Sequence, residues 1–432
     1  MNNKLIVISL DALIYEDLDY LIKKPTFRML VENGARVNRM HSIYPSLTYP
    51  CHTTMVTGCY PKKHGIVNNT QAALEKDPLW FFEHANVKCG DILDSCKKAC
   101  LKTASVGWPV TGHHKSVDYL VNECWPSSDA PIEEYKEAYL ANGTPQWLFD
   151  EVVAPVLWMR VGRKQPDSSF FLTKISAEII SKYQPDILML HVGNVDSYRH
   201  KTGVFSDMVT RGLDECENMV AMLVQATKDT GVFEHTNFVV TADHGQLNTT
   251  RVANLNSLFA SLGLIDVDCN GEIKDYQAWC KGSGMSGQIY LKDPDDKALN
   301  EAVYTLLKEK QAEGTWGISK VYTKEELKEM HLDGAFSFMV ETDGCTTFGD
   351  AWLEPVVEPF PCAPEAEHGG NHGFHPDKGP RPPFVGFGPD FAPGVVLQNA
   401  ELVDGAPTYA KLLGVDLPGA DGRALEELLR KE

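Results

Sequence analysis

The sequence predicts an α/β protein with a mostly parallel central sheet, helices on both of its faces, and an inserted α+β cap. Three observations carry this expectation. Short apolar runs alternate with helical patterns along most of the 432 residues, as strands buried on both sides require. Polar side chains able to hold a ligand stand where those runs stop, at Asp11, Asn194, Asp196, Asp243 and His244. The stretch 255–355 behaves differently and reads as a separate unit of strands and helices.

The elements follow in order. Residues 4–10 form a buried strand that ends at Asp11, and 17–33 form a helix that stops before Gly34. "SIYPSLTYPCHTTMVTG" (42–58) places two prolines among hydroxyls and then enters a helix closed by Gly58. A helix over roughly 90–100 leads into a second strand at 102–108. A third strand covers 186–192, followed by a long amphipathic helix near 206–228. A fourth covers 237–243. A late strand at 383–388 and a terminal helix at 422–431 complete the pattern. Between them, "GQIYLKDPDD", a helical stretch near 296–312 and "YTKEELKEMHLDGAFSFMVET" make the cap. The catalytic core is therefore expected at 1–254 and 356–432, with the cap at 255–355. Residues 362–382 form a Gly-, Pro- and His-rich loop, a kind of segment that carries function rather than core.

Hydrophobic residues make up 43% of the chain, enough for a large core. The formal net charge of −19 excludes a nucleic-acid polymer or an anionic membrane as the main partner. The apolar run Leu5–Leu10 is too short for a signal peptide or a membrane span. Eleven cysteines without a CxxC pair read as free thiols, so a reducing, cytoplasmic setting is expected.

Chemistry concentrates at a few positions. Asp196 and His200 are four apart and share one side of a helical turn, where carboxylate and imidazole can hold one divalent cation. Asp243 and His244 are adjacent at a strand end and are followed by Gly245. Asp11 closes the first strand. His372, with His368 and His375 nearby, sits among glycines that let backbone approach an ion closely. Together Asp11, Asp196, His200, Asp243, His244 and His372 suffice for two adjacent cations, the arrangement that assists in-line phosphoryl displacement. One hydroxyl of the 42–58 block would then be the nucleophile.

With these residues assembled, the chain resembles the alkaline phosphatase superfamily, and within it the nucleotide pyrophosphatase/phosphodiesterase (type I phosphodiesterase) branch. The matching pieces are "ISLDAL", "YPSLTYPCHTTMVTGCYPKKHGIVNN", "VGWPVTG", "DSYRHKTG", "TADHGQ" and "NHGFHPDKGP", in that order and at fitting spacing across residues 5–380. The resemblance implies an alkaline phosphatase-like fold and Thr48 as the nucleophile of a double displacement through phospho-threonine. It implies one metal held by Asp11, Thr48, Asp243 and His244, and another by Asp196, His200 and His372. The metals would be two zinc ions, with manganese as the alternative. Asn69, or the adjacent Asn68, would hydrogen-bond a phosphoryl oxygen. The substrate would be a small phosphate ester such as a nucleotide. Trp80, Phe81 and Phe82, just past Asn69 in "LWFFEH", either stack on a base or pack as core or cap.

The chain departs from the family pattern in places. His375 stands where an Asp is common. Cys51 invites comparison with sulfatases, yet "CHTTM" lacks the Pro and Arg of their motif. The expected activity is hydrolysis of phosphodiester or nucleotide pyrophosphate bonds. The alternative is a phosphomonoesterase, or a phosphonatase like phosphonoacetate hydrolase.

Overall fold

The computed structural model describes residues 3–74, 78–126, 130–159, 164–353 and 355–431. Its largest sheet has eight strands in the order Val396–Glu401, Ala35–His41, Phe384–Phe387, Thr236–Thr241, Lys4–Leu10, Ile187–Val192, Thr103–Val106 and Tyr119–Val121. Within it, Phe384–Phe387 runs antiparallel to both neighbours, and every other pairing is parallel. Lys4–Leu10 lies at the centre and is buried from Leu5 onward. Ile6, Ile8 and Leu10 pack with Phe27, Phe171 and Leu223 on one face. Leu5 and Val7 pack with Met55, Trp108 and Tyr409 on the other. Burial on both faces explains why this strand reads as unbroken apolar sequence.

The helices cover both faces, with local departures from expectation. The helix expected over 17–33 is two pieces, Leu18–Leu21 and Pro25–Asn33. Pro25 has no N–H to continue the first helix and instead opens the second. The long helix is Asp207–Asp229, capped by the Ser206 side chain, which accepts from the N–H of Val209. The terminal helix at 422–431 does not form; that region holds one 3-10 turn, Glu426–Leu428. Its backbone pairs in extended fashion with 390–392 instead, through Ala392 N–H to Leu428 O and Arg430 N–H to Asp390 O. The helix that packs there is Gly405–Leu413, which seats Ala406, Tyr409 and Leu413 in the core.

The stretch from 278 to 342 builds a second sheet, antiparallel, in the order Ala278–Ser283, Ser286–Leu291, Phe338–Thr342 and Ile318–Thr323. The helix Lys297–Glu313 accompanies it, and Trp279, Ile289, Leu307 and Met339 share its apolar cluster. The turn 283–286 of this sheet grips the His372 segment: Met285 N–H donates to His372 O and Ser286 Oγ to Gly373 O. Gly284 and Gly373 both have positive φ, and a Cβ at either would run into a carbonyl of the other segment. No helix among the described residues is long and apolar enough to cross a membrane.

Candidate active site

Parallel strands put their C-terminal ends on one edge, and the chemistry gathers there. Asp11 follows Lys4–Leu10. Asp243 and His244 follow Thr236–Thr241. The helix Asn194–Thr202 follows Ile187–Val192 and presents Asp196 and His200 one turn apart. His372 follows the short strand Gly369–Asn371, which pairs antiparallel with Leu247–Thr249. The result is a cleft of about 380 Å³ whose lining includes Asp11, Thr48, Asn69, Asp196, His200 and His372. Asp243 and His244 are fully buried behind it.

Two groups of donors overlap at Asp196. Atoms of Asp196, His200 and His372 lie within 4.8 Å of one another, as do those of Asp11, Asp196 and His244. Asp243 Oδ2 is 3.1 Å, and Thr48 Oγ1 3.3 Å, from His244 Nε2. The residues fit a divalent cation on three counts. The buried oxygens Asp11 Oδ1 and Asp243 Oδ2 find no hydrogen-bond partner among the described residues. His200 Nδ1 donates to Gly370 O at 2.8 Å and His372 Nδ1 to Ser46 O at 3.0 Å, which turns both Nε2 atoms toward Asp196, at 3.2 and 3.8 Å from its Oδ1. Burial, reinforced by neighbouring carboxylates, also pushes the carboxyls of Asp11 and Asp243 up. Burial pushes His244 down, and His372 down to about 4. His244 and His372 held neutral by burial beside the unpartnered oxygens of Asp11 and Asp243 form the environment a cation stabilises.

A second cluster shows the contrast. His84, Asp91, Asp94 and His114 lie equally close together. There, however, Ser116 N–H donates to His114 Nδ1 at 3.1 Å, so the proton sits on Nε2 and is donated to Asp91 Oδ2 at 2.8 Å. Asp91 Oδ1 accepts from Asp94 N–H as a helix cap. That cluster is satisfied by its own hydrogen bonds.

Thr48 is the first residue of the helix Thr48–Thr57. Asn69 Oδ1 accepts from Tyr49 N–H at 2.9 Å, satisfying one free donor of that helix start. The amide orientation this fixes leaves Asn69 Nδ2 as the donor group available to the cleft. Asn68 is engaged elsewhere: its Nδ2 donates to Ser283 Oγ and Gln288 Oε1. The structure thus separates two adjacent amides that the sequence leaves ambiguous. Trp80 lines the cleft and packs with Tyr49 and Trp125. Phe81 packs against the same small apolar cluster of Tyr49, Ile66 and Val110 as Trp80 but is not part of the cleft lining. Cys51 is buried with its Sγ 3.3 Å from Ser42 Oγ, and burial pushes its thiol up. His375 faces Tyr44 and Tyr322 rather than the cleft.

Sequence reasoning missed three neighbours. His191 lines the cleft with Nε2 2.9 Å from Asp11 Oδ2; inside an apolar strand it reads as core. Gln246 Nε2 donates to Asp196 Oδ1 at 2.6 Å, and its place in "TADHGQ" was the available signal. Glu123 lines the cleft and accepts from Tyr49 Oη at 2.6 Å.

A helix-covered, mostly parallel sheet with these donors at its C-terminal edge defines an alkaline phosphatase-like α/β protein. Residues 5–375 match the model of the type I phosphodiesterase / nucleotide pyrophosphatase family, and the chain belongs to that family of enzymes. The human bis(5'-adenosyl)-triphosphatase ENPP4 is 24% identical over 270 residues, 59% of this chain and 50% of its own length. An uncharacterized pyrophosphatase/phosphodiesterase of Schizosaccharomyces pombe is 24% identical over 315 residues, 69% of this chain and 54% of its own. The chain thus spans about half the length of these relatives. Murine ectonucleotide pyrophosphatase/phosphodiesterase 5 shares the fold at a TM-score of 0.68, with 18% identity and coverage of 99% of this chain and 100% of that one. An inactive Thr→Ala variant of the murine protein, in complex with AMP, matches at 0.69, with 18% identity and the same coverage.

Proposed function

We propose that this protein hydrolyses phosphodiester or nucleotide pyrophosphate bonds, with Thr48 as the nucleophile. The observation that carries the reading is Thr48 Oγ1 at the mouth of a cleft, 3.3 Å from His244 Nε2 and flanked by the Asn69 amide. Asp11, Thr48, Asp243 and His244 would hold one divalent ion, and Asp196, His200 and His372 a second, zinc or manganese. Such ions, when bound, lower the pKa of a coordinated hydroxyl and offset charge on phosphoryl oxygens. The residues do the rest. Thr48 Oγ1 gives its proton to solvent and attacks phosphorus, the bond to the departing oxygen breaks with its electron pair, and the phosphoryl group, still bearing its other ester substituent, remains on Thr48. Water then attacks that phosphorus and frees the threonine. Asn69 Nδ2 donates to a phosphoryl oxygen throughout, and the helix start beneath Thr48 adds favourable partial charge.

A nucleotide is the favoured substrate. Tyr49, Trp80 and Trp125 offer an aromatic wall for a base, and the AMP complex of a structural relative and the triphosphatase name of a sequence relative agree with it. Residues 255–355 would act as a cap that also steadies the His372 segment. A reducing, cytoplasmic setting goes with 11 cysteines that form no CxxC pair. The test is the ranking of bis-p-nitrophenyl phosphate against p-nitrophenyl phosphate by kcat/KM. Faster cleavage of the diester supports the reading, and the reverse order replaces it with a phosphomonoesterase.

A further inference from the structure

The cleft carries carboxylates at Asp11, Glu123 and Asp196, within a protein of formal net charge −19. Against these, Lys201 is the one lysine or arginine among the described residues that line it. Lys201 follows His200 on the helix Asn194–Thr202, and Ser197, one turn earlier on the same face, lines the cleft beside it. The Lys201 side chain is exposed and forms no hydrogen bond or ion pair with the described residues. Elsewhere in the protein partly exposed cations meet carboxylates, as Lys24 does Asp214 and Arg251 does Asp343. Lys201 is an exposed cation at the cleft with no carboxylate partner among the described residues.

Its position has a chemical meaning that rests on the proposed function. An in-line displacement puts the attacking and departing oxygens on opposite sides of phosphorus. Thr48 lies against His244, so the departing group lies toward the other donor group, Asp196, His200 and His372. Lys201 directly follows His200, one of those donors, on the same helix and lines the same cleft. As the phosphorus–oxygen bond breaks, its electron pair stays on the departing oxygen, which gains negative charge. A departing phosphate starts charged and gains a further charge, whereas a departing alcohol or phenol starts neutral and gains only that one. We propose that Lys201 is a specificity-determining residue that reads the charge of the leaving group and favours substrates whose scissile oxygen continues into a phosphate.

The test compares two substrates in the metal-loaded enzyme: ATP, whose leaving group is pyrophosphate, and the p-nitrophenyl ester of thymidine 5'-monophosphate. Lys201→Gln should lower the ratio of their kcat/KM values by about fivefold. The wild-type ratio should fall toward the variant's as salt is raised. Lys182→Gln, on the outer surface, should leave the ratio where it was. An unchanged ratio in Lys201→Gln overturns the proposal. If the wild type cleaves neither substrate, the hydrolase reading fails on its own, and binding of inorganic pyrophosphate decides. Weaker binding by Lys201→Gln supports the charge-reading role, and equal binding overturns it.

Discussion

Thr48 Oγ1 and His244 Nε2 lie 3.3 Å apart although 196 residues of chain separate them. The central sheet makes the meeting possible. His244 leaves the strand Thr236–Thr241, while Thr48 opens a helix packed on the same edge. Replacing Thr48 by Ala should therefore remove the attacking atom and little else. Thr48 is half-buried, and the bond from Tyr49 N–H to Asn69 still holds the helix start. We expect kcat to fall by about 10³ or more with an unchanged circular dichroism spectrum. Near-normal turnover in a folded variant would remove Thr48 from the mechanism.

The centre of the fold and the edge bearing the site were legible in the sequence, because strands buried on both faces leave continuous apolar runs. Lys4–Leu10, Ile187–Val192 and Thr236–Thr241 all did so. Val396–Glu401 at the sheet's edge and its neighbour Ala35–His41 were not, since Arg36, Asn38, Arg39, Gln398 and Asn399 interrupt their apolar sequence. His191 escaped for the opposite reason: it sits within an apolar run. Asn68 and Asn69 could be told apart only by which amide the second sheet occupies.

Metal removal should weaken the fold as well as the activity. Asp11 and Asp243 are buried with unpaired oxygens close together, and burial opposes ionisation of both. A cation that binds only the folded state stabilises it by about 2.7 kcal/mol at a hundredfold excess over its Kd. Chelator-treated protein should therefore melt several degrees lower, and Zn²⁺ or Mn²⁺ should restore the melting temperature. Identical melting curves with and without chelator would argue against a bound ion.

Arg199 should prove a structural anchor for the Asp11 segment. It is fully buried, with Nη2 2.7 Å from both Asp17 oxygens and Nη1 donating to Ala12 O. Arg199→Met leaves Asp17 buried and uncompensated, a loss of about 3–5 kcal/mol by urea unfolding. Adding Asp17→Leu to that variant should recover part of the loss, because the stranded charge goes with it. A double variant less stable than the single one would show that the pair contributes chiefly through packing.

The His41 contact should make stability depend on pH in a defined direction. His41 Nδ1 lies 3.0 Å from Glu401 and Nε2 2.9 Å from Asp377, joining an edge strand to the loop that follows His372. The Glu401 hydrogen bond, aided by Asp377 and opposed by burial, holds the imidazolium above its ordinary range. A histidine raised in the folded state adds stability that is complete below its unfolded pKa of about 6.5 and is lost as pH rises through the folded value. All three side chains are partly exposed, so the contribution is about 0.2–1 kcal/mol. His41→Asn should thus be destabilised relative to wild type at about pH 5.5 and match it at about pH 9. Urea titrations at the two pH values measure the difference directly. A gap that is equal at both would mean that His41 contributes packing and no charge, and a gap that widens with pH would reverse the sign argued from Glu401 and Asp377.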